Sequence, residues 1–199
     1  MINLDGLRAL ARERSRALLP DAQCAQQAEQ ASPGQPVALR DGSQVLIRQV
    51  QPVDACLLAE GFARLSARSR WLRFLTPKQD LSLAELRYLT QIDHHDHEAI
   101  GAVNQADGRG VGVARYIRDA ADPEAADVAV TVIDAWQRRG LGTELLTWLC
   151  HRARQEGIRR FTALVVADNT ATLGLLRRAG ARMVCRDSDT LEYEVVLGP

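Results

Sequence analysis

Lysine is nearly missing from this chain. Of its 25 cationic side chains only Lys78 is a lysine, and the rest are arginine. The bias is compositional and by itself names no activity. Net charge is missing as well: 25 acidic groups balance the 25 basic ones, so no long-range field for nucleic acid or another polyanion is expected. No apolar run approaches the roughly 20 residues of a membrane span, and Met1–Leu10 lacks the apolar core of a signal peptide. The four cysteines, Cys24, Cys56, Cys150 and Cys185, show no C-x-x-C and no paired spacing. That argues against a metal ribbon or a disulfide scaffold and reads as reduced, buried thiols of a cytoplasmic protein.

What is present suits one domain with an extension, and 199 residues are enough to bury a real core. The extension is residues 1–36. Leu4, Leu7, Leu10, Ala11 and Leu18 recur at helical spacing until Pro20, and an Ala/Gln/Pro/Gly linker without periodicity follows. The domain is residues 37–199. Two strands meet at Asp41-Gly42, a strong hairpin signal. Helices are expected over 52–64, 67–75 and 83–91, the last opened by a Ser82/Glu85 capping box. Strands are expected over 99–104, 111–117 and 127–133, a long helix over 143–156, and a doubly buried strand over 160–166. A helix over 171–179 ends at Gly180, and a hairpin over 183–197 closes the order. This is an α+β (α/β) pattern whose sheet is split around a ligand cleft.

The stretch from Asp127 to Leu146 organises the rest. A β-branched strand runs through Gln137-Arg138-Arg139-Gly140-Leu141-Gly142 into the long helix. Such a turn aims backbone N–H groups and the positive end of a helix at one point, which suits a phosphate or pyrophosphate. It is not a dinucleotide fingerprint, which needs a third glycine and a distant acid, nor a P-loop, which needs Gly-Lys-Ser/Thr.

Gln-x-x-Gly-x-Gly directly after a β-branched strand resembles the acyl-CoA pyrophosphate loop of the GCN5-related N-acetyltransferase (GNAT) family. A second segment, Val165–Asn169 followed by Leu175–Gly180, resembles that family's Asn-x-x-Ala-x-x-Leu-Tyr-x-x-x-Gly-Phe. Here Leu176 stands at the tyrosine and Ala181 at the phenylalanine, so the usual acid for the departing thiolate is replaced or dispensed with. The resemblance covers residues 37–197. It implies a mixed, mostly antiparallel sheet of about seven strands, split at the fourth and fifth, with about four flanking helices. Leu65–Pro77, Leu83–Leu86 and Ile92–His97 are similar to the acetyltransferase domain of bacterial Pat-type protein lysine acetyltransferases. Those proteins often carry a nucleotide-binding or ligase-like regulatory domain, for which residues 1–36 leave no room, so regulation of that kind is not expected.

The resemblance implies acetyl-CoA as cosubstrate and an amine, preferably a protein lysine, as acceptor, with no nucleic-acid or membrane partner. It assigns Val130, Val132, Ile133, Gln137, Arg138, Arg139, Gly140, Leu141, Gly142, Thr143 and Asn169 to the cofactor. The N–H of Val132 is assigned to the acetyl oxygen. Asp127, in Ala126-Asp127-Val128-Ala129, stands where Pat-type enzymes place a glutamate base, one methylene shorter. A protonated lysine with pKa near 10.4 must lose a proton before attack, which gives that carboxylate a task. Asp93 and Glu98 are secondary base candidates. The run His94-His95-Asp96-His97-Glu98 has no tetrahedral ligand spacing, and no metal is expected. Two rivals remain: a small-molecule amine as acceptor, and a weakly catalytic acyl-CoA-binding regulatory module.

Overall fold

The computed structural model describes residues 34–198. The N-terminal helix expected over residues 2–19 lies outside the described residues, as does nearly all of the linker. One sheet of eight strands forms the frame, in the order β1-β2-β3-β4-β5-β6-β8-β7. In chain order these are β1 Gln35–Ala38, β2 Gln44–Gln49, β3 His97–Asn104, β4 Gly110–Arg118, β5 Ala125–Val132, β6 Arg160–Val166, β7 Arg182–Asp187 and β8 Thr190–Val196. Every pairing is antiparallel except β5 with β6. Eight strands agree with the expected mixed, mostly antiparallel sheet of about seven, and both arms of the Asp41-Gly42 hairpin pair as the sequence predicts.

Five α-helices flank the sheet among the described residues: α1 Ala55–Ala63, α2 Ala67–Phe74, α3 Leu83–Thr90, α4 Leu141–Gln155 and α5 Thr170–Arg178. Short polar side chains cap three of them, with Asn169 at the head of α5. Ser66 accepts from the Ser69 N–H at the head of α2. Ser82 and Glu85 exchange hydrogen bonds at the head of α3, the reciprocal satisfaction of two orphan donors. The long helix begins at Leu141, two residues earlier than its periodicity suggests, so Gly142 lies inside its first turn.

Strand alternation sorts side chains onto two cores. On one face, α4 and α5 cover Ile47, Ile100, Ala114, Tyr116, Val128, Phe161 and Val195. Phe161 is fully buried, a burial worth roughly 2–3 kcal/mol. On the other face, α1 and α3 enclose a smaller cluster of Phe62, Leu65, Leu81, Leu86, Leu89 and Ile133. Cys150 is half-buried and Cys185 exposed, and both are free thiols. Among the described residues no helix is long and apolar enough to cross a membrane.

Candidate active site

The site begins where two neighbouring strands part. β5 pairs with β6 only over Ala125–Asp127 against Arg160–Thr162. β5 continues to Val132 and β6 to Val166, so beyond Asp127 a gap opens in the sheet. The ladder to β4 decides what faces it. The Ile133 N–H donates to the Val111 carbonyl, and Val132 lies opposite Gly112. In an antiparallel pair hydrogen-bonded and non-hydrogen-bonded positions alternate. Ile133, Thr131 and Ala129 therefore bond to β4, while the N–H and C=O groups of Val130 and Val132 turn away from it, into the gap. The Gln137 side-chain amide donates to the Val132 carbonyl at 3.1 Å. The Val132 N–H is left as the inward-facing donor at the end of the strand.

The gap runs into a cleft of about 610 Å³ whose floor includes Val130, Val132, Gln137, Gly142 and Thr143. At its end the chain turns through a 3-10 segment, Asp134–Trp136, into a loop with two left-handed residues, Arg138 (φ 63°) and Gly140 (φ 96°). Alternation of this kind makes backbone N–H groups converge in a concave nest. Among the described residues, the N–H groups of Arg138, Arg139, Gly140, Leu141 and Gly142 have no protein acceptor. They precede or open a 15-residue helix, whose N-terminal partial charge adds to the same point. Backbone of this shape fits a pyrophosphate.

Side chains divide more sharply than the sequence predicts. Arg138, Thr143 and Asn169 line the cleft, and Asn169 also caps α5 by accepting from the Thr172 N–H at 3.1 Å. Arg139, assigned to the cofactor, turns outward: it pairs with Asp41 at 2.9 Å, donates to Ser43 and to the Ala135 carbonyl, and stacks on Trp136. Ile133 points to the other face of the sheet, into the smaller core. The Leu141 side chain is buried in the larger one. For these three residues only the backbone remains near the cleft, because strand parity and the helix start aim their side chains elsewhere.

Arginines from distant segments supply what Arg139 does not. Arg40, at the tip of the β1–β2 hairpin, lines the cleft and lies against Gly140, and its N–H donates to the Arg139 carbonyl at 3.2 Å. Arg68 of α2 and Arg178 of α5 line the cleft too. Sequence reasoning missed all three; the only available signal was the Asp-Gly turn beside Arg40. Asp134 anchors the head of α2 to the loop. Burial alone would raise its pKa, but donation from the Ser66 N–H and the Ser69 and Ser66 hydroxyls holds it below the usual carboxylate value.

Asp127 sits at the last paired position before the gap, opposite Ile117 on one side and Thr162 on the other. Its Oδ1 accepts from the Thr162 hydroxyl. It shares a sheet face with Ala129 and Thr131, which both border the cleft. The secondary base candidates are placed elsewhere. Glu98 is fully buried, accepting from Gln49, Arg152 and the Ala99 N–H and paired with His94. Asp93 caps a turn, accepting from the N–H groups of His95, Asp96 and His97. Both carboxylates are occupied in holding the loop before β3. Among the described residues no group of three or more His, Cys, Asp or Glu is arranged to hold a metal.

Comparison with known proteins agrees with this geometry. The profile of the acetyltransferase (GNAT) family matches residues 66–181. The acetyltransferase Pat of Mycolicibacterium smegmatis is 32% identical over 164 residues, covering 82% of this chain and 49% of that protein. This chain thus spans about half the length of that relative. Acetyltransferase PA5475 of Pseudomonas aeruginosa is 34% identical over 136 residues, 67% of this chain and 73% of that one. Among solved structures, the GNAT domain of S. lividans PAT superposes with a TM-score of 0.77 at 29% identity, covering 82% of this chain and 96% of the other. The split sheet, the anion nest and these matches together make the chain a member of the GNAT family of acetyltransferases, enzymes that draw the acetyl group from acetyl-CoA.

Proposed function

We propose that this protein transfers acetyl directly from acetyl-CoA to the side-chain amine of a protein lysine, in a ternary complex, in the cytoplasm. The observation that carries the reading is the break between β5 and β6, which turns the N–H groups of Val130 and Val132 into a cleft ending at the anion nest. Similarity to the two Pat proteins supports the protein-lysine acceptor.

Acetyl-CoA supplies an activated thioester. The nest at Arg138–Gly142, with Arg40 beside it, holds the pyrophosphate. Val130 offers its N–H and C=O to the pantetheine amide as a missing strand would. The Val132 N–H donates to the acetyl oxygen, where negative charge grows as the amine attacks, so it binds more strongly in the transition state than before it. Asp127 takes the proton that the attacking ammonium must shed. A C–N bond forms, the C–S bond breaks and the thiolate leaves, and the second proton of the nitrogen passes to the thiolate or to water as the neutral amide forms. With a pKa near 8.5 the thiolate departs without a dedicated acid, which accommodates Leu176 at the tyrosine position.

Transfer of labelled acetyl into a desalted lysate, split into protein and small-molecule fractions, tests the reading. Label in protein lysines that falls sharply in Asp127→Ala supports both the acceptor and the base. Label confined to small molecules overturns the lysine acceptor, and acetyl-CoA binding without any transfer overturns catalysis.

A further inference from the structure

The described residues enclose a second, smaller cavity of about 90 Å³, roofed by the helices α1–α3 against the face of β2–β5 opposite α4. Its walls are largely apolar, with Leu57, Phe62, Leu81 and Leu89 among them, yet three arginines line it. Arg48 is neutralised by Asp54 through two hydrogen bonds of 2.6 Å. Arg73 and Arg115 have no carboxylate partner among the described residues. Arg115 is 4% exposed. It spends one nitrogen on His97 Nε2 at 2.8 Å and another on the Leu89 carbonyl at 3.2 Å, both neutral acceptors. Arg73 makes only a stacking contact, its guanidinium 5.0 Å from the Phe74 ring centre. Burial pushes both guanidinium groups down, Arg73 to about 10 and Arg115 to about 9, and the charge of Arg73 adds to the shift of Arg115. Arg115 is a buried cation without a counter-charge, whereas Arg73 is half-buried where the chamber meets the open cleft, and an anion between them offsets the cost of burying Arg115.

The chamber adjoins the reacting centre. Arg73 and Thr131 belong to the walls of both the chamber and the cofactor cleft. Arg115 lies opposite Ala129, and Asp127 is the next residue on the same face, a diagonal neighbour about 7–8 Å away. We propose that this chamber is a second anchor for the acceptor, in which Arg73 and Arg115 hold a carboxylate carried close to the amine that is acetylated. A volume of about 90 Å³ holds several waters and so admits a carboxylate with the few carbons that carry it. The inference rests on the acetyl-transfer reading, which sets which side of β5 the amine approaches. The carboxylate has two sources, the α-carboxylate of a free amino acid or an acidic side chain flanking a lysine.

The test uses the whole protein saturated with CoA and a non-reacting probe pair, butyrate and butyramide, followed by NMR. Butyrate should bind about tenfold or more tightly than its neutral isostere. That preference should vanish in Arg73→Gln and return in part in Arg73→Lys. Acetyl transfer is then compared between Glu-Lys and Gln-Lys peptides, and between free amino acids and their amides, with acetyl-CoA affinity measured in parallel to separate losses on the cofactor side. A lower KM for one charged partner supports the proposal and names the source. Equal binding of butyrate and butyramide, or a preference unchanged in Arg73→Gln, overturns it with the transferase reading intact. Butyrate preference without transfer to any amine supports the anion chamber and overturns the transferase reading instead.

Discussion

Arg68 of α2 donates to the Asp168 carboxylate at 3.0 Å, and the two residues stand on opposite walls of the cofactor cleft. Both side chains are about 60% exposed (62% and 59%), so the pair contributes no more than about 1 kcal/mol to stability. Its influence is on traffic. Asp168→Asn removes a negative charge from the mouth of a cleft built for an anion. Stopped-flow binding of acetyl-CoA should show a faster association rate at low salt, with the gain lost at high ionic strength. Arg68→Ala should slow association under the same conditions, and the melting temperature of both variants should barely move.

Gly140 and Gly142 should respond differently to alanine. Gly140 sits at φ 96° with Arg40 against it at 3.4 Å, a conformation that costs an L-residue about 1–2 kcal/mol. Gly140→Ala should lower both the melting temperature and acetyl-CoA affinity. Gly142 has an ordinary helical backbone, and an added Cβ would meet Leu175 at 3.7 Å and Val132 at 3.8 Å, within normal contact. Gly142→Ala should retain or slightly raise stability while crowding the nest, so calorimetry should show weaker acetyl-CoA binding in a protein that melts no earlier.

Asp127 should separate chemistry from binding. Asp127→Asn should reduce kcat/KM for the amine by about 10²–10⁴-fold, the range for a lost general base, with acetyl-CoA affinity little changed. Raising the pH supplies more neutral amine, so the deficit should shrink towards pH 10. A deficit of constant size across the pH range would remove Asp127 from proton transfer.

His97 gives stability a pH dependence. Burial, then the Arg115 charge, push its pKa down to about 3 from the ordinary histidine value of 6.5, against a smaller opposing pull from Asp93. The unfolded chain therefore binds a proton that the folded one refuses between those values. Stability rises with pH across that window and is lost as pH falls from about 6.5 towards 3, with a slope of at most about 1.4 kcal/mol per pH unit from this group. His97→Gln keeps an acceptor for Arg115 and removes the titration. Melting temperatures between pH 4 and 6 should fall less steeply in that variant.

What the sequence makes legible follows from how local each feature is. Gln137, Gly140, Gly142 and Thr143 are near neighbours in one turn, so residue type and spacing suffice to read them. The strand at 160–166 is readable from its unbroken apolar run. Ile133 shows the limit of that approach: it continues the β-branched run, but strand parity sends its side chain to the opposite core. Arg139 looks equivalent to Arg138 until the hairpin at Asp41 and Ser43 is folded beside it. Arg40, Arg73 and Arg115 reach the site or its border from segments far apart in the chain, and no periodicity links them. Glu98 reads as a secondary base candidate and is instead fully buried beneath Gln49 and Arg152, because β3 starts two residues earlier than its apolar pattern suggests.

The parting of β5 and β6 also divides the sheet mechanically. Five strands on one side and three on the other are joined at this seam by three residue pairs, Ala125–Asp127 with Arg160–Thr162. In the proposed placement, a pantetheine arm along Val130 and Val132 would complete the unfinished rungs, which would make the donor of the acetyl group a structural splint as well. Cofactor binding and rigidity then draw on one free energy: at a hundred times its dissociation constant, acetyl-CoA raises stability by about 2.7 kcal/mol. Protection of the β5 and β6 amides from hydrogen exchange should therefore rise when acetyl-CoA binds, and rise most beside the three-pair seam.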